Sequence, residues 1–321
     1  MSQTPTKVAV DGATGYVGNH TVAELRAQGI DVLCLVHAAA REKDVDFLKS
    51  LGAEIATVTL DTDNERLKRA LSGCTHAVHL IGSIAPKKGE TLADLHSKQT
   101  QNLVKAAQEA GVRKILQVTA LGSAQDAISE YHRTKWQAEQ HVRNSGLRWI
   151  IYRPSLIIGK TVGNRNSKLV SRYMELIATR PRVPVIGGGE NKVQPIFVVD
   201  LAKAIVKGVI EDRFDNKEYD LGGPEVVTMR TFVERLIKLK GSNKSVALIP
   251  SFAANLLASV CETIQNVPLV SRDQVKLSSQ DNICPVNALD TVFGITPTNI
   301  DNALSTYRTG VDTSEMAASS K

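Results

Sequence analysis

"VAVDGATGYVGNH", Val8 to His20, decides how this chain is read. A short apolar run leads into three glycines, Gly12, Gly15 and Gly18, and a helix-like run follows that stops on Gly29. A strand that passes through such glycines into a helix has a specific physical use. One glycine makes a tight turn, another lets backbone approach a ligand, and the third lets the helix pack close to the strand. The helix N-terminus then presents free N–H groups and the positive end of its dipole. The ligand that suits this arrangement is a dinucleotide pyrophosphate, lined by the glycines and by Thr14, Tyr16 and Val17 between them. A side chain at Gly15 would fill the space the pyrophosphate needs. Asp11, just before the first glycine, is an oddity, because a carboxylate there is unfavourable unless it faces a backbone donor.

Working outward, apolar runs of strand length alternate with helix-like segments. "KVAV" is followed by "DVLCLV", "EIATVTL", "THAVHLI", "KILQVTA" and "LRWIIYRP", and later by "EYDLGG". Near-continuous apolar strands separated by helices mean a parallel sheet covered on both faces. The expected fold is therefore α/β, a doubly wound (Rossmann) parallel sheet with a smaller, mostly helical C-terminal lobe. Residues 1–156 read as the dinucleotide-binding domain, completed by 193–222. Residues 157–192 and 223–310 read as the substrate or partner lobe, and 311–321 as a disordered tail. The segment Ser251–Ile264 is expected to be an amphipathic helix, with Phe252 and Leu256 on one line and Leu257, Val260, Cys261 and Ile264 on another.

The strand ends carry the remaining cofactor candidates. "CLVHAAAREK" has no carboxylate between Cys34 and Ala40 to hold the hydroxyls of an NAD ribose. His37 and Arg41 stand there instead, which favours a 2′-phosphate and hence NADP(H) over NAD(H). Asp61 ends the third strand, where an adenine amine would lie. It competes with Asp63 for the alternative role of helix cap. Gly82 follows the fourth strand and would let backbone lie close to the cofactor. Pro154 fixes the chain as it leaves the sixth strand, so its backbone could approach a nicotinamide carboxamide.

"SEYHRTKWQAEQHV" holds Tyr131 and Lys135, four apart and so on one helical face. A lysine cation near a phenol lowers its pKa, and a phenol so tuned can give or take a proton at a carbonyl or alcohol. The usual third partner is a hydroxyl at the end of the fifth strand. That position falls on Ala120, with Thr119 before it and Ser123 after it as substitutes.

Composition excludes other classes. The 321 residues are 42% hydrophobic and 22% charged, the balance of an ordinary globular protein. A net charge of +6 without a dense Lys/Arg block argues against a nucleic-acid reader. Cys34, Cys74, Cys261 and Cys284 form no CxxC pair, and the histidines no HxxxH pair, so no metal is expected. Scattered cysteines fit a reducing cytoplasm. No signal-like or Arg-rich segment precedes the first strand. "SVALIPSFAANLLASVC" is the most apolar window, but Pro250 breaks it, so it is read as a half-buried helix, with a peripheral membrane or partner-docking face as the alternative.

"GATGYVG", "AGVRKILQVTALGS", "YHRTKWQAE", "IIYRPSLIIG", "QPIFVVDLAKAI", "YDLGGPEVVT" and "VPLVSRDQVKLSSQDN" together give the chain a family likeness from Lys7 to about Tyr307. It resembles the atypical short-chain dehydrogenase/reductases related to the NAD(P)H-binding accessory subunit of respiratory complex I, including their free-standing bacterial relatives. The GxxGxxG spacing is the form such proteins use. The resemblance implies NADPH held at Gly12, Gly15 and Gly18, with Tyr131 and Lys135 near the nicotinamide ribose. It also implies a second lobe facing a lipid, quinone or protein partner. Three readings stand: an NADP(H)-dependent oxidoreductase on a small or lipophilic carbonyl or alcohol, a non-catalytic NADPH-binding structural or sensor protein, and an NAD(P)-dependent epimerase. The Tyr131–Lys135 pair favours chemistry, and the missing hydroxyl at Ala120 favours binding alone.

Overall fold

The computed structural model describes residues 6–61, 64–84, 89–264 and 272–308. Strands β1 (Lys7–Val10), β2 (Asp31–Val36), β3 (Glu54–Thr57), β4 (His76–His79), β5 (Lys114–Val118) and β6 (Arg148–Pro154) join a last strand, Lys217–Leu221, in one sheet. All neighbours are parallel, in the order β3-β2-β1-β4-β5-β6 and then Lys217–Leu221. The strands are shorter than the apolar runs suggest. "EIATVTL" pairs regularly only to Thr57, after which a single bond from the Val58 amide to the Val36 carbonyl (3.0 Å) continues the edge.

Period-2 alternation explains why β1 is apolar from Val8 to Val10. Val8 and Val10 pack into one core with Val22, Leu25, Leu201 and Ile205, while Ala9 between them faces a second core with Leu67, Leu103 and Val142. The helices on the first face are α1 (Tyr16–Ala27) and a later helix, Val198–Ile210. On the second face are Asn64–Leu71, Gln99–Glu109 and Glu130–Arg143. Helix α2 (Glu42–Ser50) follows β2. As expected, α1 stops at Gly29, which takes φ +72°. The Ile30 amide then bonds back to the Leu25 carbonyl (3.1 Å), the closure that left-handed glycine permits. The order of the strands reverses between β1 and β4, which opens a crevice at their C-terminal ends.

A third core lies beyond the sheet, built from Ile158, Val170, Ile177, Phe232, Leu236 and Leu304. Two helices, Lys168–Thr179 and Met229–Leu239, supply much of it, beside a parallel pair of short strands, Val183–Ile186 with Val246–Ile249. The segment Ser251–Ile264 is a helix, as its periodicity suggests. Its small residues Ala254 and Ala258 face inward, and Phe252 and Leu256 stand 78% and 71% exposed. The side chains of Leu257, Val260, Cys261 and Ile264, residues 62–63 with the alternative cap Asp63, and the tail 311–321 lie outside the described residues. Among the described residues no helix is long and apolar enough to cross a membrane. Trp136 and Trp149, apolar enough to be expected in the core, are half-buried at its margin.

Candidate active site

The glycine turn is built against the exit of β4. Gly12 takes φ +63°, and the Gly15 amide closes the turn on the Gly12 carbonyl at 2.8 Å. A Cβ on Gly12 would lie 3.0 Å from the Leu80 carbonyl carbon. On Gly15 it would lie 2.9 Å from the Gly12 carbonyl oxygen, and on Gly18 2.7 Å from Ala13 Cα. Gly12 is therefore demanded by its left-handed φ and by the β4 exit, and Gly15 and Gly18 by the turn's own backbone. A side chain at Gly15 would thus disturb the turn itself as well as the space expected for a pyrophosphate. No side chain caps α1 and no acid stands in its first turn. Thr14, Gly15, Tyr16 and Val17 are partly exposed there. An uncapped, carboxylate-free helix start behind a close-packed glycine turn fits a dinucleotide pyrophosphate.

Asp11 resolves its own oddity. Its carboxylate is 1% exposed and turned to the β4 exit, where Oδ1 accepts from the amides of Leu80 (2.8 Å) and Ile81 (3.2 Å). Its Oδ2 meets Nδ1 of buried His79. The Thr100 hydroxyl gives its one proton to the His96 carbonyl (2.6 Å), so it accepts from His79 Nε2 (2.8 Å). His79 thus bridges the Asp11 carboxylate and the Thr100 hydroxyl, and Asp11 accepts from the two loop amides beside it. The acid beside the glycines is a brace for the loop that follows β4.

That loop meets Tyr131 and Lys135. Lys135 is 3% exposed and its Nζ donates to the Ile81 carbonyl at 3.0 Å. A Cβ on Gly82 would lie 2.5 Å from that Nζ, so Gly82 makes room for the lysine itself. Burial lowers the Lys135 pKa to about 8, against the opposing pull of Asp11 and Glu139. The half-buried Tyr131 ring stands edge-on to His96, with centroids 5.4 Å apart. Burial alone raises its pKa to about 12. The expectation that Lys135 tunes this phenol downward is corrected for the cofactor-free protein, in which desolvation governs it.

The helix carrying both residues, Glu130–Arg143, is capped twice. Ser129 Oγ accepts from the His132 amide (3.1 Å). Asp273, from a distant helix, accepts from the amides of Glu130 (2.8 Å) and Tyr131 (3.1 Å). His96 holds the other side. Its Nδ1 bonds Thr134 Oγ1 (2.8 Å), and its Nε2 lies 3.4 Å from the Ser83 amide as acceptor. Burial and the Lys135 charge push its pKa down to about 2, so it is a neutral imidazole. Neither Asp273 nor His96 was singled out as a site residue from sequence. Asp273 lies within the "SRDQVK" part of a family motif, but only the fold brings it to Tyr131.

The hydroxyl candidates are engaged elsewhere. Thr119 Oγ1 donates to Glu139 (2.7 Å), a fully buried carboxylate also held by Arg153 at 2.9 Å and Arg143 at 3.0 Å. Ser123 Oγ donates back to the Ala120 carbonyl at 2.7 Å. Neither is presented as a free donor, which corrects the expectation that one of them stands in for the hydroxyl missing at Ala120. Thr119→Val should therefore cost about 1.5–3 kcal/mol, the worth of a hydrogen bond to a charged group. Urea unfolding measures this, and cofactor affinity should stay unchanged. The Pro154 carbonyl accepts from the Leu121 amide at 3.1 Å, so it knits the β5 and β6 exits together.

At the β2 exit, exposed His37 accepts from the Ala39 amide through Nδ1 (2.9 Å) and shapes a turn. Arg41 is not free as expected, since its Nε and Nη2 hold both oxygens of Asp44 at 2.9 and 3.0 Å. Asp61 is exposed at the edge beyond β3.

The buried Lys135 makes a pH prediction. Its folded pKa lies below the ordinary lysine value of 10.5, so folding disfavours its proton. The penalty is complete below pH 8, where both states are protonated, and fades as pH rises from 8 towards 10.5. Lys135→Met should stabilise the cofactor-free protein at pH 7 by on the order of 2 kcal/mol, and the gain should vanish near pH 10.5. Denaturant unfolding of both proteins across that range checks it, and a gain independent of pH would contradict it.

Comparison with known proteins agrees with this geometry. Residues 12–173 match the model of a family described as NAD(P)H-binding. The chain is 27% identical over 293 residues to the Arabidopsis thaliana mitochondrial NADH dehydrogenase [ubiquinone] 1 alpha subcomplex subunit 9, covering 87% of this chain and 71% of that one. It is 30% identical over 203 residues to a ceramide reductase of Caulobacter vibrioides, covering 62% and 59% of the two chains. The NADPH-dependent quinone oxidoreductase QOR2 of Escherichia coli, solved with NADPH, superimposes with a TM-score of 0.73 at 17% identity over 93% of this chain and 98% of that one, a likeness of fold. A glycine turn shaped for a pyrophosphate, on a seven-stranded parallel sheet, and a match over half its length make the chain a member of the NAD(P)H-binding family.

Proposed function

We propose that the protein is an NADP(H)-dependent oxidoreductase acting on a small or lipophilic carbonyl or alcohol. The observation that carries this reading is the convergence of Tyr131 and Lys135 on the β4 exit beside the glycine turn, with Gly82 left bare for the lysine. In this reading Gly12, Gly15 and Gly18 hold the pyrophosphate with the amides that open α1. Arg41 serves the adenosine end, and Lys135 the nicotinamide ribose. The bound nicotinamide supplies a hydride to a carbonyl carbon. Tyr131, protonated throughout the physiological range because burial raises it to about 12, gives its proton to the carbonyl oxygen as the alcohol forms. Neutral His96 packs beside the phenol and fixes its ring, while Asp273 and Ser129 fix the start of its helix.

The second lobe supplies specificity in this proposal. Exposed Phe252 and Leu256 support a lipid-like substrate or partner there, met at a membrane surface. The relatives' names, a ceramide reductase and a respiratory-complex subunit, fit a lipophilic substrate class. A non-catalytic NADPH-binding role is the second reading, favoured by the engagement of Thr119 and Ser123 inside the protein. Stopped-flow oxidation of bound NADPH against a panel of quinones and long-chain ketones and aldehydes tests the enzyme reading. Bound NADPH that stays reduced across the panel leaves the binding role.

A further inference from the structure

The loop from Gly159 to Ser167 crosses from the second lobe over α1 to α2. Its Gly159 carbonyl accepts from the Tyr16 and Tyr307 hydroxyls. The Thr161 amide donates to His20 Nε2 (3.3 Å), and Asn164 Nδ2 to the Lys43 carbonyl (2.9 Å). Gly163, at φ +76°, lies so close to Asn19 that a Cβ would meet its side chain. The strap ends on Arg165, whose Nε and Nη2 reach Asp44 Oδ2 at 3.0 and 2.7 Å. Asp44 is the carboxylate that Arg41 also holds. Its side chain is fully buried, whereas Arg41 and Arg165 are 46% and 40% exposed.

We propose that Arg165 is a specificity-determining residue for the cofactor, supplying the second guanidinium that grips the ribose 2′-phosphate of NADP(H) opposite Arg41. This rests on the NADP(H) reading above and adds a residue from the other lobe. The exit of β2 is where the adenosine ribose lies in a doubly wound fold, and Arg41 and Arg165 meet there. Each spends its Nε and Nη2 on Asp44, and among the described residues none takes Nη1 of either. A guanidinium has five donors, so both keep outward edges for a phosphate. Two cations around one buried anion leave a net positive site, the complement of a phosphate monoester. Asp44 is a positioning residue: it orders both side chains before the ligand arrives, which lowers the entropic cost of binding. Both its oxygens are occupied, so it offers little to the ribose hydroxyls of NAD(H).

Calorimetric titration with 2′,5′-ADP and with 5′-ADP separates the possibilities, using wild type, Arg165→Ala and Arg165→Gln. Glutamine keeps the packing of the stem and guards against local collapse of the strap. Wild type should prefer 2′,5′-ADP. Both variants should bind it about 10–100-fold more weakly, the range for lost charged hydrogen bonds, with 5′-ADP within about twofold of wild type. Unchanged 2′,5′-ADP affinity, or equal weakening of both ligands, would overturn the role of Arg165 and leave it a tie between lobes. A wild type that binds both ligands alike would instead overturn the NADP(H) reading on which the proposal rests.

Discussion

Tyr131→Phe should lower the single-turnover rate of NADPH oxidation by a carbonyl substrate by about 10²–10⁴-fold, the usual worth of a positioned acid. The reason is local. The ring packs edge-on against His96 and its backbone amide is held by Asp273, and phenylalanine keeps both contacts. Only the hydroxyl is lost, so NADPH affinity and unfolding midpoint should stay near wild type. With a phenol whose pKa is about 12, no fall in rate from deprotonation of Tyr131 should appear below pH 9. Stopped-flow fluorescence of NADPH with a turned-over substrate reads the effect. A Tyr131→Phe protein as fast as wild type would remove the proton-donor role and leave the pair as a cofactor mount.

Gly18→Ala should be the most damaging single change to cofactor binding. The added Cβ would press on the Gly12 carbonyl and lie 2.7 Å from both Ala13 Cα and the Ala13 carbonyl oxygen. These are backbone atoms of the turn, which cannot swing aside as a side chain can. Forcing the first turn of α1 away from them should cost about 1–3 kcal/mol of stability, the price of overpacking. It should also move the amides that open the helix, so NADPH binding should fall below detection by calorimetry. Gly82→Ala is the informative contrast. Its Cβ meets the far end of Lys135, a flexible chain that can shift, so the fold should survive and only the lysine's position should change. A Gly18→Ala protein with wild-type stability and NADPH affinity would show that the turn tolerates what its geometry forbids.

Much of this molecule was legible before any coordinates. The apolar runs from "KVAV" to "LRWIIYRP" showed a parallel sheet covered on both faces, because strands buried on both sides are mostly apolar along their length, while their order in the sheet came only with the structure. Gly29 stopped α1 for a reason of backbone conformation alone. The same locality made Gly12, Gly15, Gly18, Tyr131 and Lys135 readable, since turn geometry and the four-residue helical repeat are properties of short stretches. What failed did so at long range. Thr119 looked available until the sheet set it against Glu139, twenty residues on, and Asp11 looked misplaced until β4 brought the Leu80 and Ile81 amides to it. Arg41 is the local exception, held by Asp44 only three residues on, whereas Arg165 reaches that same carboxylate from 121 residues away. The sequence by itself determined the fold class, the glycine turn and the helical face of the Tyr131–Lys135 pair, because each is encoded by neighbours in the chain. Tertiary structure alone decided which polar groups are spent inside the protein and which remain for a ligand, because a buried donor or acceptor takes whatever partner the fold brings within reach.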